Sequence, residues 1–359
     1  MFKGAELYQR PCRVTMTKSP FTLFEAEVLP GLEHLAADDI RARAGHANQS
    51  VVARTGAVTF TYTGALPQLS TFKIATAIYG VLTFNVPRPK ALLGHEHLSR
   101  LTKICTLVMD STREQFASAG LDAAGDDSSV MIRLMQELAA ALNLEVSENR
   151  GDLNLRIRRQ RMGDGWEVLI RLTPRPLATR DWRVVNYKGA VFAPIAYAMA
   201  GLSNPASDDR VLNLCCGSGS LLIERAAHGQ SAALVGCDIS AEALDAAHQN
   251  LAAAHVKATL SDADARHLPY DNGAFNVLLA DLPFGQLVGS HQENLSLYPA
   301  ILSEAARLAS SGARFIVLSH EKRLMTRILA EQSAWLTEKS LTLNQNGLHP
   351  EITVLRRAD

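Results

Sequence analysis

The stretch "RVLNLCCGSGSLLIERAAHGQSAALVGCD", residues 210–238, decides how the chain is to be read. "RVLNLCC" is an apolar run that reads as a strand buried on both faces. Gly217 and Gly219 then make a tight turn, "GSLLIERAAHG" has helical spacing, and "AALVGCD" is a second apolar strand ending on Asp238. Strand, glycine turn, helix, strand is the signature of a parallel sheet covered by helices.

The alternation holds from about residue 195 onward. "SAEALDAAHQNLAAA" is a helix with Ser240 as its N-cap. "VKATLSD" and "FNVLLAD" are the third and fourth strands, "LSLYPAILSEAARLASSG" is a helix, and "ARFIVLSHE" is a fifth strand followed by the helix "EKRLMTRILAEQ". The tail reads as two strands around the turns "NQNG" and "HP".

In such a sheet, ligands bind beyond the carboxyl ends of the strands, where the strand order reverses. Four successive strand ends carry candidate groups: Asn213 with Gly217 and Gly219, then Asp238, then Asp264 in "DADARHLP", then Asp281. Each alone is an ordinary turn or helix cap. All four in register are hard to attribute to turns. A nicotinamide fingerprint needs a third glycine, and Leu222 stands where it would be. A cofactor with a ribose, an adenine and an ammonium-bearing tail, but no pyrophosphate, fits better: S-adenosylmethionine. The glycines let its tail approach the backbone. Asp238 can accept from both ribose hydroxyls, and Asp264 sits where an adenine amino group would be.

In "NVLLADLPFGQLVGS", residues 276–290, the fourth strand ends on Asp281, then Leu282, Pro283 and Phe284. A primary amine on a nucleobase is a poor nucleophile, because its lone pair is delocalised into the ring. If Asp281 and a backbone carbonyl of the Leu282–Pro283 turn accept its two N–H groups, the lone pair is freed for a methyl. Pro283 removes a competing donor and stiffens the turn. Phe284 offers a face for a base, worth roughly 1–3 kcal/mol in comparable contacts.

Composition agrees with a globular protein: 359 residues, 47% hydrophobic and 20% charged, enough for two or three domains. "MFKGAELYQRPCRV" at the start breaks its apolar residues with charges, unlike a signal peptide. "GAVFAPIAYAMAGLSNPAS", residues 189–207, reads as a buried helix rather than a membrane span. Cys12, Cys105, Cys215, Cys216 and Cys237 form no CxxC pair and read as reduced thiols, so a cytoplasmic location is expected. The histidines show no ligand spacing, and no metal is expected.

The net charge is zero, yet residues 156–188 hold a basic block: Arg156, Arg158, Arg159, Arg161, Arg171, Arg175, Arg180, Arg183 and Lys188. Within it "DLNLRIRRQRM" and "GWEVLIRLTPRPL" read as two strands joined by "GDG". In the first, Leu153, Leu155 and Ile157 alternate with Asn154, Arg156 and Arg158, giving one apolar and one basic face. Phosphate is the usual partner of such a surface; a merely solvated hairpin face is the alternative. Two helices precede it, "HLSRLTKICTLVMDST" and "SVMIRLMQELAAALNL", separated by the Gly- and Asp-rich "AGLDAAGDDSS". Earlier still, "FTLFEAEV", "GAVTFTYTG" and "TAIYGVLTFNV" read as strands, and "VPRPK" marks a boundary.

"NLCCGSGSLLIERA", "GCDIS", "DADARHLP" and "DLPFG" together resemble class I S-adenosylmethionine-dependent RNA methyltransferases that act on exocyclic amines. The longer run "DLPFGQLVGSHQENLSLYP" is similar to the THUMP-domain guanine-N2 methyltransferases of tRNA. The resemblance covers about residues 185–320 and continues more loosely upstream. It implies an α/β protein whose C-terminal Rossmann-like class I methyltransferase domain has a seven-stranded mixed sheet, preceded by α+β ferredoxin-like and THUMP modules. The divisions expected are a ferredoxin-like domain at 1–87, a THUMP-like RNA-binding domain at 88–178, a linker at 179–195 and the methyltransferase domain at 196–359.

Carried over position by position, the resemblance assigns Asn213, Cys216, Gly217, Gly219, Asp238, Ile239, Asp264 and Ala265 to the cofactor. It assigns Asp281, Pro283 and Phe284 to the target amine, while the basic block offers Arg156, Arg158, Arg161, Arg180, Arg183 and Lys188 to RNA. Asn213 departs from a common Asp, and Leu282 from a first proline; the second change also occurs in the tRNA guanine-N2 branch. The expected activity is N2-methylguanosine formation in tRNA, in the acceptor stem, with tRNA as partner and neither membrane nor metal. The alternatives are ribosomal RNA or adenine N6 as target, and a non-catalytic RNA-binding subunit. The intact glycines and acids argue against the last. The need for an activating protein partner is not decided by the sequence.

Overall fold

The computed structural model describes residues 19–43, 50–161, 163–283 and 290–358. The chain divides into two compact units. One holds residues up to Glu27 with Ala37–Phe72 and Ala77–Leu177; the other holds Val28–Ala36, Lys73–Thr76 and Ala178–Asp359.

The first unit is built on an eight-stranded sheet. Its elements in chain order are β1 (Leu23–Val28), α1 (Glu33–Arg43), β2 (Val51–Arg54), β3 (Ala57–Thr61), β4 (Ala75–Phe84), α2 (His95–Asp110), β5 (Ser118–Ala123), α3 (Ser129–Leu142), β6 (Glu145–Val146), β7 (Leu153–Arg159) and β8 (Trp166–Arg171). The strand order is β2-β3-β1-β4-β8-β7-β5-β6. Strands from both stretches read as separate modules thus share one sheet, joined where β4 pairs antiparallel with β8.

β5 falls inside the stretch read as a connector. Its small residues are poor strand formers, but pairing overrides propensity here: β5 runs parallel to β7, with Ala119 opposite Leu153. Gly120 permits it, since a Cβ there would stand 2.3 Å from the Gly151 nitrogen.

The second unit contains α4 (Ala193–Leu202), β9 (Arg210–Leu214), α5 (Ser220–Ala226), β10 (Ala233–Asp238), α6 (Ala241–Ala253), β11 (Thr259–Asp262), β12 (Phe275–Asp281), α7 (His291–Leu308), β13 (Ala309–Ser319), α8 (Lys322–Ala330), β14 (Trp335–Thr342) and β15 (Glu351–Arg357). Seven strands form one mixed sheet, β11-β10-β9-β12-β13-β15-β14, in which β15 is antiparallel to both neighbours. The expected fold class is the observed one. Val211, Leu212 and Leu214 of β9 and Val277, Leu278, Leu279 and Ala280 of β12 are fully buried, as unalternating runs covered on both faces must be. α4 is buried from Ala193 to Ala200, as expected of a core helix. No helix of the described residues is long and apolar enough to cross a membrane.

The end of the sheet away from the strands' carboxyl termini is fastened by buried charge. Asp209 accepts from Arg225 at 2.8 Å and from Arg314 at 2.6 Å, and both the Asp209 and Arg225 side chains are 0% exposed. Burial alone would raise the Asp209 pKa, but the Ala206 N–H and the two guanidiniums hold it below the ordinary carboxylate range. Asp209→Ala leaves Arg225 buried without its partner and should destabilise the chain by about 3–5 kcal/mol in urea unfolding. A loss below about 1 kcal/mol, the level of an exposed pair, would show that the network is not a fastening.

Candidate active site

Strand order reverses between β9 and β12, so the crevice at a sheet of this kind opens beyond their carboxyl ends. On the β9 side the chain enters the loop Cys215–Gly219 with Cys215 at φ 52°, Gly217 at φ 51° and Gly219 at φ 78°. A Cβ on Gly217 would meet nothing within 4 Å, so the loop faces open space there. The Gly217 N–H donates to Asp238 Oδ2 at 2.8 Å, and the Ser240 N–H donates to Oδ1 at 3.0 Å. Asp238 therefore ties the glycine loop to the start of α6, which Ser240 caps. Ile239, beside it, is 74% exposed, and Ala265 and Cys216 are buried.

Asn213 is fully buried at the end of β9. Its Nδ2 donates to the carbonyls of Leu214 and Leu279, while its Oδ1 is buried with no partner among the described residues. An orphaned acceptor of this kind calls for a ligand donor or ordered water.

Asp264 is arranged differently from the expectation of an open carboxylate. Arg266 folds back on it, its Nη2 2.6 Å from Oδ2 and its backbone N–H 2.9 Å from Oδ1. Those hydrogen bonds hold the Asp264 pKa below the usual range. Both side chains are exposed, so the pair is an exchangeable one.

On the β12 side, Asp281 ends the strand. Burial pushes its carboxyl up to about 7. No described residue donates a hydrogen bond to it. The Leu282 N–H donates to the Leu318 carbonyl at 3.0 Å, and the Pro283 carbonyl accepts from the Tyr298 hydroxyl at 2.7 Å. Phe284 lies outside the described residues. At Cys215 burial, then the fields of Cys237, Asp238, Asp281 and Asp264, push the thiol upward. Asp238, Asp264 and Asp281 all lie at or just beyond the carboxyl ends of strands of one sheet.

The basic residues are not brought there, and those of β7 do not form a free cationic face. Arg156 pairs with Glu27 at 2.9 Å and Asp122 at 3.2 Å, over the Tyr79 ring. Arg158 bridges Glu25 and Glu167 at 2.7 and 2.8 Å, and Arg161 reaches Glu25 at 3.2 Å. The basic face read in the sequence is met by carboxylates of β1, β5 and β8. Arg180 is buried against Glu224 at 2.7 Å. Arg183 donates to the Ser220 hydroxyl and the Val191 carbonyl. Lys188 is exposed.

Three contributors escaped sequence reasoning. Arg266 was visible only as an opposite charge two residues from Asp264. Tyr298 sits in an unremarkable helix. Asn250 of α6 accepts from the Val185 N–H and donates to the carbonyls of Val185 and Ser218, linking residue 185 to the glycine loop. Among the described residues no group of histidine, cysteine, aspartate and glutamate could hold a metal ion.

A parallel sheet with an antiparallel seventh strand and a glycine loop ahead of an acidic strand end defines a Rossmann-like class I methyltransferase domain. Residues 180–351 match the family model described as UPF0020, the RMKL-like methyltransferase domain. The likeness read in the motifs, to THUMP-domain guanine-N2 methyltransferases, is borne out by the relatives found. The mouse tRNA (guanine(6)-N(2))-methyltransferase THUMP3 is 27% identical over 207 residues, 53% of this chain and 40% of that protein. The tRNA (guanine(6)-N2)-methyltransferase of Thermus thermophilus is 27% identical over 56% of this chain and 60% of its own. The match thus spans about half the length of these relatives. The crystal structure of TrmN from Thermus thermophilus shares the fold, with a TM-score of 0.72 at 22% identity, covering 93% of this chain and 99% of that one.

The raised pKa is directly measurable. Carbon-13 NMR of the Asp281 carboxyl should give a midpoint near 7. A midpoint near the ordinary value of about 4 would mean that water reaches it freely.

Proposed function

We propose that this chain is an S-adenosylmethionine-dependent RNA methyltransferase that forms N2-methylguanosine in the acceptor stem of tRNA. One observation carries the reading: a half-buried carboxyl to which no described residue donates, Asp281, next to a backbone carbonyl, Leu282, that no described residue occupies. Two adjacent acceptors fit the two N–H groups of an exocyclic amine. The names of the relatives support guanine N2 and tRNA as the target.

The cofactor assignment rests on the other side of the crevice. The open space at Gly217 suits a tail lying against the backbone, and the orphaned Asn213 Oδ1 suits a donor such as an ammonium. Asp238 keeps lone pairs for ribose hydroxyls beyond the two backbone N–H groups it already accepts. Ile239 offers an exposed apolar face, and Asp264 with Ala265 would meet the adenine edge once Arg266 yields. S-adenosylmethionine, when bound, supplies an electrophilic methyl group.

The chain's own part is to prepare the amine. Ionised Asp281 and the Leu282 carbonyl accept its N–H bonds and draw the nitrogen lone pair out of the ring. Once the nitrogen–carbon bond forms, the amine carries an extra proton, and a carboxylate with a pKa near 7 is matched to take it. Below pH 7 the protonated carboxyl donates instead of accepting, so the rate should rise as pH passes upward through about 7. Pro283 has no N–H to compete, and Phe284 is proposed as the stacking face for the base.

The N-terminal stretches, 1–87 as a ferredoxin-like module and 88–178 as a THUMP-like one, are proposed to grip RNA, with 179–195 leading into the methyltransferase domain at 196–359. For Arg156, Arg158 and Arg161, phosphate contact would exchange a carboxylate partner, whereas Lys188 needs no such exchange. A cytosolic setting goes with a tRNA substrate.

Two substitutions separate binding from chemistry. Asp281→Ala should lower the single-turnover rate about 10²–10⁴-fold, with the dissociation constants for cofactor and tRNA little changed. Asp238→Ala should do the reverse, weakening S-adenosylmethionine in titration calorimetry through lost ribose and loop contacts. An Asp281→Ala enzyme at wild-type rate would reduce that acid to a strand end. Cofactor affinity indifferent to Asp238 would remove the ribose assignment.

A further inference from the structure

The turn that follows Asp281 is held at two points. The Leu282 N–H is bonded to the Leu318 carbonyl on β13 at 3.0 Å. The next residue, Pro283, has no N–H, and its carbonyl accepts from the Tyr298 hydroxyl at 2.7 Å. Tyr298 is 0% exposed, one residue before Pro299 inside α7. Its hydroxyl accepts in turn from Ser319 Oγ at 3.3 Å, at the end of β13. A phenol placed between two such groups has its proton direction decided, because the Ser319 proton occupies one lone pair and the phenolic proton goes to Pro283.

The consequence lies between the two fastenings. With the Leu282 N–H and the Pro283 carbonyl both engaged, the backbone group left without a described partner is the Leu282 carbonyl. We propose that Tyr298, oriented by Ser319, is a positioning residue for methyl transfer: by holding the Pro283 carbonyl on the α7 side, it keeps the Leu282 carbonyl presented beside Asp281 as the second acceptor of the target amine. This rests on the function proposed above and adds to it the device that sets the turn. A Leu282–Pro283 segment without the phenol keeps its β13 anchor and loses its α7 anchor. The Leu282 carbonyl is then free to rotate away from the line of the amine while Asp281 stays in place.

Two readouts test this on the 359-residue chain. With saturating S-adenosylmethionine and an unmodified tRNA transcript, Tyr298→Phe should slow single-turnover methyl transfer about tenfold, the factor an ordinary neutral hydrogen bond commands. Affinities for both should stay within about twofold, since no proposed binding group is touched. Ser319→Ala should slow it less, and the double variant should be no slower than Tyr298→Phe, because Ser319 acts through the phenol. The second readout needs no activity: hydrogen–deuterium exchange at the Leu282 amide should be faster by about tenfold in Tyr298→Phe, as local opening becomes easier. Wild-type rate and wild-type exchange in Tyr298→Phe would overturn the assignment, and additive effects of the two substitutions would overturn the role of Ser319. A wild-type chain that transfers no methyl to tRNA would sink the proposed function instead. The exchange measurement then decides alone whether Tyr298 holds the turn.

Discussion

Asp281 is a half-buried carboxyl at the end of a buried strand, and much of the second unit is arranged around that constraint. β12 runs between β9 and β13 as an apolar segment from Val277 to Ala280, so its last residue emerges where the strand order reverses. Burial without a donor raises the cost of ionising the group and brings its pKa to about 7. A surface aspartate would be ionised throughout the physiological range and would be solvated by water rather than by a substrate amine. The neighbouring backbone is treated in the opposite way: Leu282 and Pro283 are each fastened, one to β13 and one to α7. On the proposed reading, a substrate amine would meet two acceptors on a fastened support, the arrangement in which hydrogen bonds act without reorganisation.

Across the crevice, the glycine loop is held by atoms that a cofactor could also use. Asp238 accepts the Gly217 N–H, and Asn250 ties Ser218 to residue 185. The shape of the loop is thus set before any ligand arrives, which reduces the ordering that binding must accomplish. Arg266 on Asp264 is the exception. It is an exposed pair of the kind worth little in water, and an adenine amino group can replace it without a large penalty.

Much of this was legible in the sequence, because strands buried on both faces read as unbroken apolar runs and their last residues are conspicuous when polar. Asp238 and Asp281 stood out for that reason, with Asn213 one residue inside the end of β9 and Asp264 two beyond the end of β11. Contacts between distant segments were not legible. The arginines of β7 alternate as a basic face should, yet Glu25 and Glu27 lie about 130 residues earlier in the chain and neutralise them through the sheet. β5 was hidden because its residues favour turns, and only its parallel pairing with β7 makes it a strand. Tyr298 carried no signal at all: a tyrosine on the inner face of an amphipathic helix reads as core until its hydroxyl is seen to reach a carbonyl.

The central claim is that the two acceptors at the end of β12 serve a guanine amine in RNA. The most direct measurement is to incubate the intact chain with S-adenosylmethionine carrying a labelled methyl group and an unmodified tRNA transcript, digest the RNA to nucleosides and identify the labelled one by mass spectrometry. The account predicts label in N2-methylguanosine. Label in N6-methyladenosine, or in a ribose or ring-carbon product, would contradict it.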